Sequence, residues 1–276
     1  MKKILISGGS GFLGSHLVKY FLDKGDEVYS LARNEYRQWL LLQKNPQVKT
    51  ILNDVRYFDD ESIKPDIIIH AAAMKHVLFS EQNKEEAFSI NVDGTANMLE
   101  YAHAVGGDFV LISSDKAVEP SNFYGETKAE AERLTCEAGQ RVSRWGNFYG
   151  STGSVIEIWF KKLLAGDNTI SLHHPDMRRY FVDVDDACLR LDQFLQTDSK
   201  TMIYAGAIGW MSDVAKSIFG DDVKIEITEM LKGEKLIERM DYDLDESQFL
   251  RYTVDDLREM FYRWAYNERG ITFNVG

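Results

Sequence analysis

The sequence predicts an α/β fold: a doubly wound parallel sheet followed by a smaller C-terminal region. Three observations carry this. A short apolar run, Lys3-Ile4-Leu5-Ile6-Ser7, passes directly into a glycine turn, Gly8-Gly9-Ser10-Gly11-Phe12-Leu13-Gly14, and then into an amphipathic stretch, residues 15–22. Strand-like apolar runs then alternate with helical segments as far as Asn147, the order that builds a parallel sheet with helices on both faces. Beyond that point the elements shorten, with no repeat or low-complexity linker. The remainder therefore reads as packed against the first domain and not tethered to it.

Composition narrows the partners. The 276 residues suffice for one large domain or two intimate ones, and 44% hydrophobic content suffices for a core. A formal charge of −12, from 32 basic and 44 acidic residues, excludes a basic nucleic-acid-binding field. An anionic ligand must instead meet local positive groups. Two cysteines, Cys136 and Cys188, without a Cys/His cluster imply a reduced, cytoplasmic protein with no bound metal. The first residues read as a strand, not a signal peptide, because the apolar run stops at glycines without a cleavage site. No run approaches the ~20 apolar residues of a membrane span.

Taken in order, residues 3–7 are strand one. Gly8 permits the tight turn, Gly11 lets a pyrophosphate approach the backbone, and Gly14 lets helix and strand pack closely. Together with Ser10, Phe12 and Leu13, these residues would cradle the phosphates at a helix N-terminus. This is a Rossmann-like dinucleotide site. Strand two, residues 27–31, ends Ala32-Arg33-Asn34 without an acid at its tip. Arg33, with Asn34 beside it, would pair with the 2′-phosphate of NADP; Glu35 in a shifted register is the alternative that would favour NAD.

Strand three, residues 48–53, leads to Asp54-Val55-Arg56, an adenine-side turn. Strand four, residues 66–70, runs into Ala71-Ala72-Ala73, whose small side chains either admit a cofactor or simply pack tightly. Met74-Lys75-His76-Val77 opens the next loop on the ligand side of a parallel sheet. One long helix is expected over residues 83–105, with Asn91 in its interior. Asn has poor helix propensity, so a bonding role toward the loop after strand four or five would explain it.

Strand five, around residues 109–112, is followed by Ser113-Ser114-Asp115-Lys116 and by Tyr124-x-x-x-Lys128. The i, i+4 spacing puts Tyr124 and Lys128 on one helical face. There Lys128 is expected to lower the Tyr124 pKa from its reference of about 10, so that the phenol can act as a base. Asp115-Lys116 sets an acid beside a base at a strand's end. Strand six spans residues 141–147. A helix with Trp159, Phe160, Lys161 and Lys162 follows. His173-His174 reads as a loop, since no further ligand stands at metal spacing, and Arg178-Arg179 is placed to grip a diphosphate. Residues 184–195 form a helix returning to the first domain; residues 233–238 and 254–266 supply further short elements. Residues 1–146 with part of 176–205 would form the NADP-binding domain, and 147–175 with 206–276 the substrate-binding region.

With the glycine turn and Tyr124-x-x-x-Lys128 in place, the chain resembles an extended short-chain dehydrogenase/reductase. Ala71-Ala72-Ala73-Met74-Lys75-His76-Val77, Ser114-Asp115-Lys116-Ala117-Val118-x-Pro120-Ser121-Asn122, Arg144-x-Gly146-Asn147-x-x-Gly150-Ser151-x-Gly153-Ser154-Val155 and Gly233-Glu234-Lys235-Leu236 narrow the resemblance to the UDP-N-acetylglucosamine 4,6-dehydratases of the C5-inverting type. Four positions depart from that pattern: Ser114 for Thr, Leu78 for Pro, Thr152 for Arg and Ile237 for His. Relative to the family, a reduced C-terminal region is expected.

The resemblance implies a cytoplasmic, homo-oligomeric lyase of surface polysaccharide or glycan synthesis, with tightly bound, recycled NADP and a UDP-sugar substrate. It assigns Tyr124 as base toward the C4 hydroxyl, with Lys128 stabilising its phenolate and holding a ribose hydroxyl. Lys116, neutral at that moment, takes the C5 proton; Asp115 protonates the leaving C6 hydroxyl; Ser114 orients the C4 oxygen. Lys75, His76, Asn147, Ser154, Arg179 and Lys235 would contact the sugar diphosphate. Two rival readings are a 4-epimerase or 4-keto reductase on the same fold, and a catalytically silent NADP-binding module.

Overall fold

A computed structural model of the protein describes residues 1–230 and 233–273. In chain order the elements begin β1 (Lys3–Ser7), α1 (Phe12–Asp23), β2 (Glu27–Ala32), α2 (Glu35–Lys44), β3 (Lys49–Leu52) and β4 (Ile67–His70). Next come α3 (Val77–Gln82), α4 (Lys84–Phe88), α5 (Gly94–Val105), β5 (Asp108–Ser114), α6 (Phe123–Glu137) and β6 (Arg141–Trp145). The chain then forms β7 (Asn147–Phe148), α7 (Val155–Leu164), β8 (Thr169–Leu172) and β9 (Arg178–Val182). After α8 (Val184–Leu195) and β10 (Thr201–Tyr204) it closes with β11 (Ala207–Trp210), α9 (Met211–Phe219), β12 (Lys224–Ile227) and α10 (Val254–Arg269).

Two compact units result. The first comprises Met1–Trp145 with Val184–Ile203. Its sheet runs β10-β6-β5-β4-β1-β2-β3, and every pairing from β3 across to β6 is parallel. Such a sheet is covered on both faces, so its central strands must be apolar throughout. Ile4-Leu5-Ile6, Ile67-Ile68-Ile69 and Phe109-Val110-Leu111 meet that demand and are all buried. The strand order reverses between β1 and β4, and in such sheets ligands bind beyond the carboxyl ends of the strands at the reversal. This is the doubly wound, Rossmann-like arrangement expected from the sequence.

The expected single helix over residues 83–105 is not what forms. α4 and α5 are separated by a π-helical turn, Ser89–Asp93. The wider turn places Asn91 with its side chain buried. α5 ends on Gly106 in the left-handed region, φ 70°, as a helix-terminating glycine should.

The second unit comprises Gly146–Asp183 and the chain from Tyr204 onward. A three-stranded sheet, β11-β9-β7, and a two-stranded one, β12-β8, share the unit with α7, α9 and α10. Trp159 and Phe160 of α7 pack with Phe261 and Trp264 of α10 and Val214 and Ile218 of α9. The expected short element over residues 233–238 is absent: the segment is irregular, tied to the start of β9 by the Arg178 N–H donating to the Leu236 carbonyl at 3.0 Å.

Candidate active site

The carboxyl ends of β1, β4 and β5 bring the first unit's functional residues together. Gly8 has φ 69°, and a Cβ there would lie 2.8 Å from the Ala72 nitrogen; a Cβ on Gly14 would lie 2.2 Å from the Gly8 carbonyl oxygen. Glycine is therefore required at both. At Gly11 the only neighbour of such a Cβ is the Gly8 oxygen at 3.0 Å. Gly11 starts α1 without a side-chain cap, and the first turn holds no acid. The helix thus presents its N–H groups and positive dipole end uncompensated, which fits a pyrophosphate. Ser10 borders this turn; Leu13 is buried, and the half-buried Phe12 lies tilted against His16, ring centroids 5.0 Å apart.

At the end of β2, Arg33 reaches Asp54 at 3.2 Å and Glu86 at 3.6 Å. Arg56 holds the same Asp54 through Nη2–Oδ2 at 2.7 Å and Nε–Oδ1 at 3.0 Å. These arginines and the Arg56 backbone N–H outweigh partial burial and keep the Asp54 carboxyl at about 2. Asn34 caps α2, accepting from the Arg37 N–H at 2.9 Å, and Val55 is buried, its carbonyl accepting from Asn97.

A buried polar chain that sequence reasoning missed runs behind β4. His70 lies between Ser7 Oγ at 2.7 Å and Thr95 Oγ1 at 3.2 Å. Ser7 Oγ accepts from the Ala72 N–H at 3.3 Å, and Thr95 donates to the Asn91 carbonyl at 2.6 Å. Burial, with Lys128 second, pushes His70 down to about 3, so it is neutral. Asn91 makes the bonds expected of it: it accepts from the Met74 N–H at 2.7 Å and donates to the Met74 carbonyl at 3.0 Å and Thr127 Oγ1 at 2.9 Å. Thr127 in turn donates to the Tyr124 carbonyl. A polar residue closing an otherwise apolar strand was the one available signal. Ala71 and Ala72 pack on Gly8, and Ala73 follows in the same loop; Lys75 precedes His76, which stands at the N-cap of α3 and is lowered by partial burial and Lys75.

Beyond β5, residues Asp115–Ala117 form a single 3₁₀ turn. The Ser114 hydroxyl donates to Asp115 Oδ1 at 2.7 Å, and Lys116 Nζ donates to the same oxygen at 2.9 Å. Asp115 is 1% exposed. Ser114 also hydrogen-bonds the Tyr124 side chain, so four of the five predicted catalytic residues are linked by hydrogen bonds through Ser114 and Asp115. Lys128 follows one turn later.

The expected effect of Lys128 on Tyr124 is corrected. Burial, then the Asp115 charge, holds the Tyr124 phenol well above its ordinary value, with only the Ser114 bond opposing them. Lys128 is occupied elsewhere: its Nζ donates to the Ile112 carbonyl of β5 at 2.8 Å, and burial pushes it down to about 8 against the pull of Glu132.

The remaining predicted residues lie in the second unit. Asn147 Nδ2 donates to the Tyr180 carbonyl at 3.1 Å. Ser154 caps α7 by accepting from the Glu157 N–H. Arg179 donates through Nη1 to the carbonyls of Arg178 and Leu236, and Lys235 lies 3.5 Å from Glu238. Among the described residues no His/Cys/Asp/Glu group could hold a metal ion, and no helix is long and apolar enough to cross a membrane.

A family model described as polysaccharide biosynthesis protein matches residues 4–254. The chain belongs to that family. It is 30% identical to the uncharacterized membrane protein MJ1061 of Methanocaldococcus jannaschii, over 98% of this chain and 87% of that one. It is 32% identical to the probable polysaccharide biosynthesis protein EpsC of Bacillus subtilis (87% and 45%) and to the UDP-N-acetylglucosamine 4,6-dehydratase (inverting) of Campylobacter jejuni (67% and 60%). The chain thus spans about half the length of EpsC. A UDP-glucose 4-epimerase of Rickettsia akari is 31% identical (87% and 77%). The fold is that of the dTDP-glucose 4,6-dehydratase DesIV of Streptomyces venezuelae, solved with NAD and TYD bound, at a TM-score of 0.78 and 23% identity over 97% of this chain and 98% of that one. Membership in the family and the resemblance to 4,6-dehydratases of extended short-chain dehydrogenase/reductase type therefore stand together.

Proposed function

We propose that this protein is a nucleotide-sugar 4,6-dehydratase that converts UDP-N-acetylglucosamine to a UDP-4-keto-6-deoxy sugar for surface polysaccharide or glycan synthesis. The observation that carries the reading is the Asp115–Lys116 pair, its carboxylate buried and joined through Ser114 to Tyr124. A bound nicotinamide dinucleotide supplies a hydride acceptor and returns the hydride, so none is consumed. The first unit binds it, with Gly8, Gly11 and Gly14 shaping the pyrophosphate cradle and Lys128 holding a ribose hydroxyl. NADP is the form favoured, because Arg33 closes β2 where no acid stands and Asp54 is already held by two arginines.

Tyr124 takes the C4 hydroxyl proton in its phenolate form, its own proton having first passed to solvent; Ser114, whose O–H rests on Asp115, turns to the phenolate oxygen once Asp115 is protonated. Lys116 takes the C5 proton, made acidic by the C4 ketone, and Asp115 protonates the departing C6 hydroxyl. Moving one proton from Lys116 Nζ to Asp115 Oδ1, along the 2.9 Å bond already present, produces the amine and the carboxylic acid together. A single internal transfer thus readies both groups.

The 31% identity to an epimerase supports a second reading, 4-epimerisation, which needs Tyr124 and Lys128 but not the Asp115–Lys116 pair. The test is mass spectrometry of UDP-N-acetylglucosamine incubated with the protein without added reductant. Loss of one water with no net reduced cofactor is expected, with C5 deuterium uptake in heavy water. Asp115→Asn should lower dehydration by about 10²–10⁴-fold; an isomerised sugar of unchanged mass, formed equally by Asp115→Asn, would establish the epimerase instead. Turnover of any UDP-sugar excludes a silent module. Cofactor released on denaturation should weigh as NADP.

A further inference from the structure

In the second unit, the segment after β12 supplies a carboxylate to each of the two cations read as diphosphate ligands. Glu234 Oε1 lies 3.4 Å from Arg179 Nη2, and the buried Glu238 lies 3.5 Å from Lys235 Nζ. Glu234 holds Arg179 by the longest of its bonds, Nη2 to Oε1 at 3.4 Å. The two shorter bonds of the guanidinium are from Nη1, to the Arg178 carbonyl at 2.9 Å and the Leu236 carbonyl at 3.0 Å. Nε has no partner among the described residues, so one donor of the fork stands ready. The contact with Glu234 is itself longer than the 2.7–2.9 Å usual for a charge-assisted bond. The other Glu234 oxygen explains this, because it is bound by His173 Nδ1. Glu234 is thus shared between an imidazole and a guanidinium.

Resting on the reading of Arg179 as a diphosphate ligand, we propose that Glu234 is a resident counter-ion of that subsite, held partly off Arg179 by His173. Its negative charge opposes any phosphate that approaches Arg179, and a diphosphate prevails because it engages Arg179 and Lys235 at once. His173 moderates the opposition by drawing the carboxylate aside. Two substitutions therefore act in opposite directions. Glu234→Gln keeps the shape and removes the charge. His173→Ala keeps the charge and lets the carboxylate close on Arg179.

Calorimetric titration of the full chain with UDP and with UMP tests this, with thermal melts confirming that each variant folds. Glu234→Gln is expected to bind UDP about tenfold tighter, equivalent to about 1.4 kcal/mol, and to tighten UMP as well. His173→Ala should weaken UDP several-fold. If both variants weaken binding, Glu234 serves to position Arg179 and the counter-ion role is wrong; unchanged affinity in Glu234→Gln overturns it equally. Arg179→Ala separates this from failure of the underlying reading. A strong loss of UDP affinity supports the subsite, whereas wild-type affinity in that variant removes the subsite and the inference with it.

Discussion

Glu119 has φ 46°, the only described non-glycine residue in the left-handed region, and it precedes Pro120 between the Asp115–Lys116 turn and Tyr124. Side chains with a Cβ are strained there by about 1–2 kcal/mol, whereas Asn tolerates the conformation far better. Glu119→Asn is expected to stabilise the protein by about 1 kcal/mol, a rise in Tm of about 2 °C. A lowered melting midpoint would mean that the contacts of the glutamate outweigh its backbone strain. At this scale the sequence was legible in part. The i, i+4 spacing correctly put Tyr124 and Lys128 on one face of α6, and Asp115 beside Lys116 at a strand's end. Spacing along a helix says nothing of what the neighbouring strand presents. The Ile112 carbonyl that holds Lys128, and the Ser114 hydroxyl that ties Tyr124 to Asp115, come from β5 and needed the fold.

Among elements, β1, its glycine turn and α1 were readable because apolar run, glycines and amphipathic period change in immediate succession. The strands β4 and β5 were readable because a sheet covered on both faces demands unbroken apolar runs. The π turn between α4 and α5 was not, since Ser89-Ile90-Asn91-Val92-Asp93 carries the same pattern whether four or five residues separate donor and acceptor. Its consequence is visible only in the bonds Asn91 makes to both sides of Met74 and to Thr127. Those bonds join the loop after β4 to the helix that carries Tyr124 and Lys128. Asn91→Ala leaves three polar groups without their partner, and the expected cost is about 2–3 kcal/mol. Because α6 would lose its tie to the loop, kcat should fall more than KM rises. Melting curves and steady-state kinetics together decide this: a lowered Tm with kcat intact would confine Asn91 to stability.

The stability of the whole molecule should depend on pH through two buried bases that the folded chain keeps from charging. His70 titrates at about 3 in the folded state against 6.5 ordinarily. Below pH 6.5 the unfolded chain takes up this proton and the folded chain does not, so stability falls as pH drops from 6.5 toward 3. The full loss is about 4–5 kcal/mol at 1.36 kcal/mol per unit. Asp54, held at about 2 against 3.8, adds its loss only below pH 4. Lys128 works at the other end. Its folded value of about 8 lies below the ordinary 10.5, so between those limits the unfolded chain keeps a proton that the folded one has shed, and stability rises with pH. The rise ends near pH 10, where the unfolded chain begins to ionise tyrosines that burial holds high in the fold, Tyr101, Tyr124 and Tyr149 among them. Urea titrations from pH 4 to 10 should therefore show a decline beginning near pH 6.5, well before the carboxylates titrate, and a gain above pH 8. Lys128→Met should abolish the alkaline gain, and His70→Asn should flatten the slope between pH 4.5 and 6.5. An alkaline gain that persists in Lys128→Met would show that Lys128 is not its source and that burial does not depress the lysine in the fold.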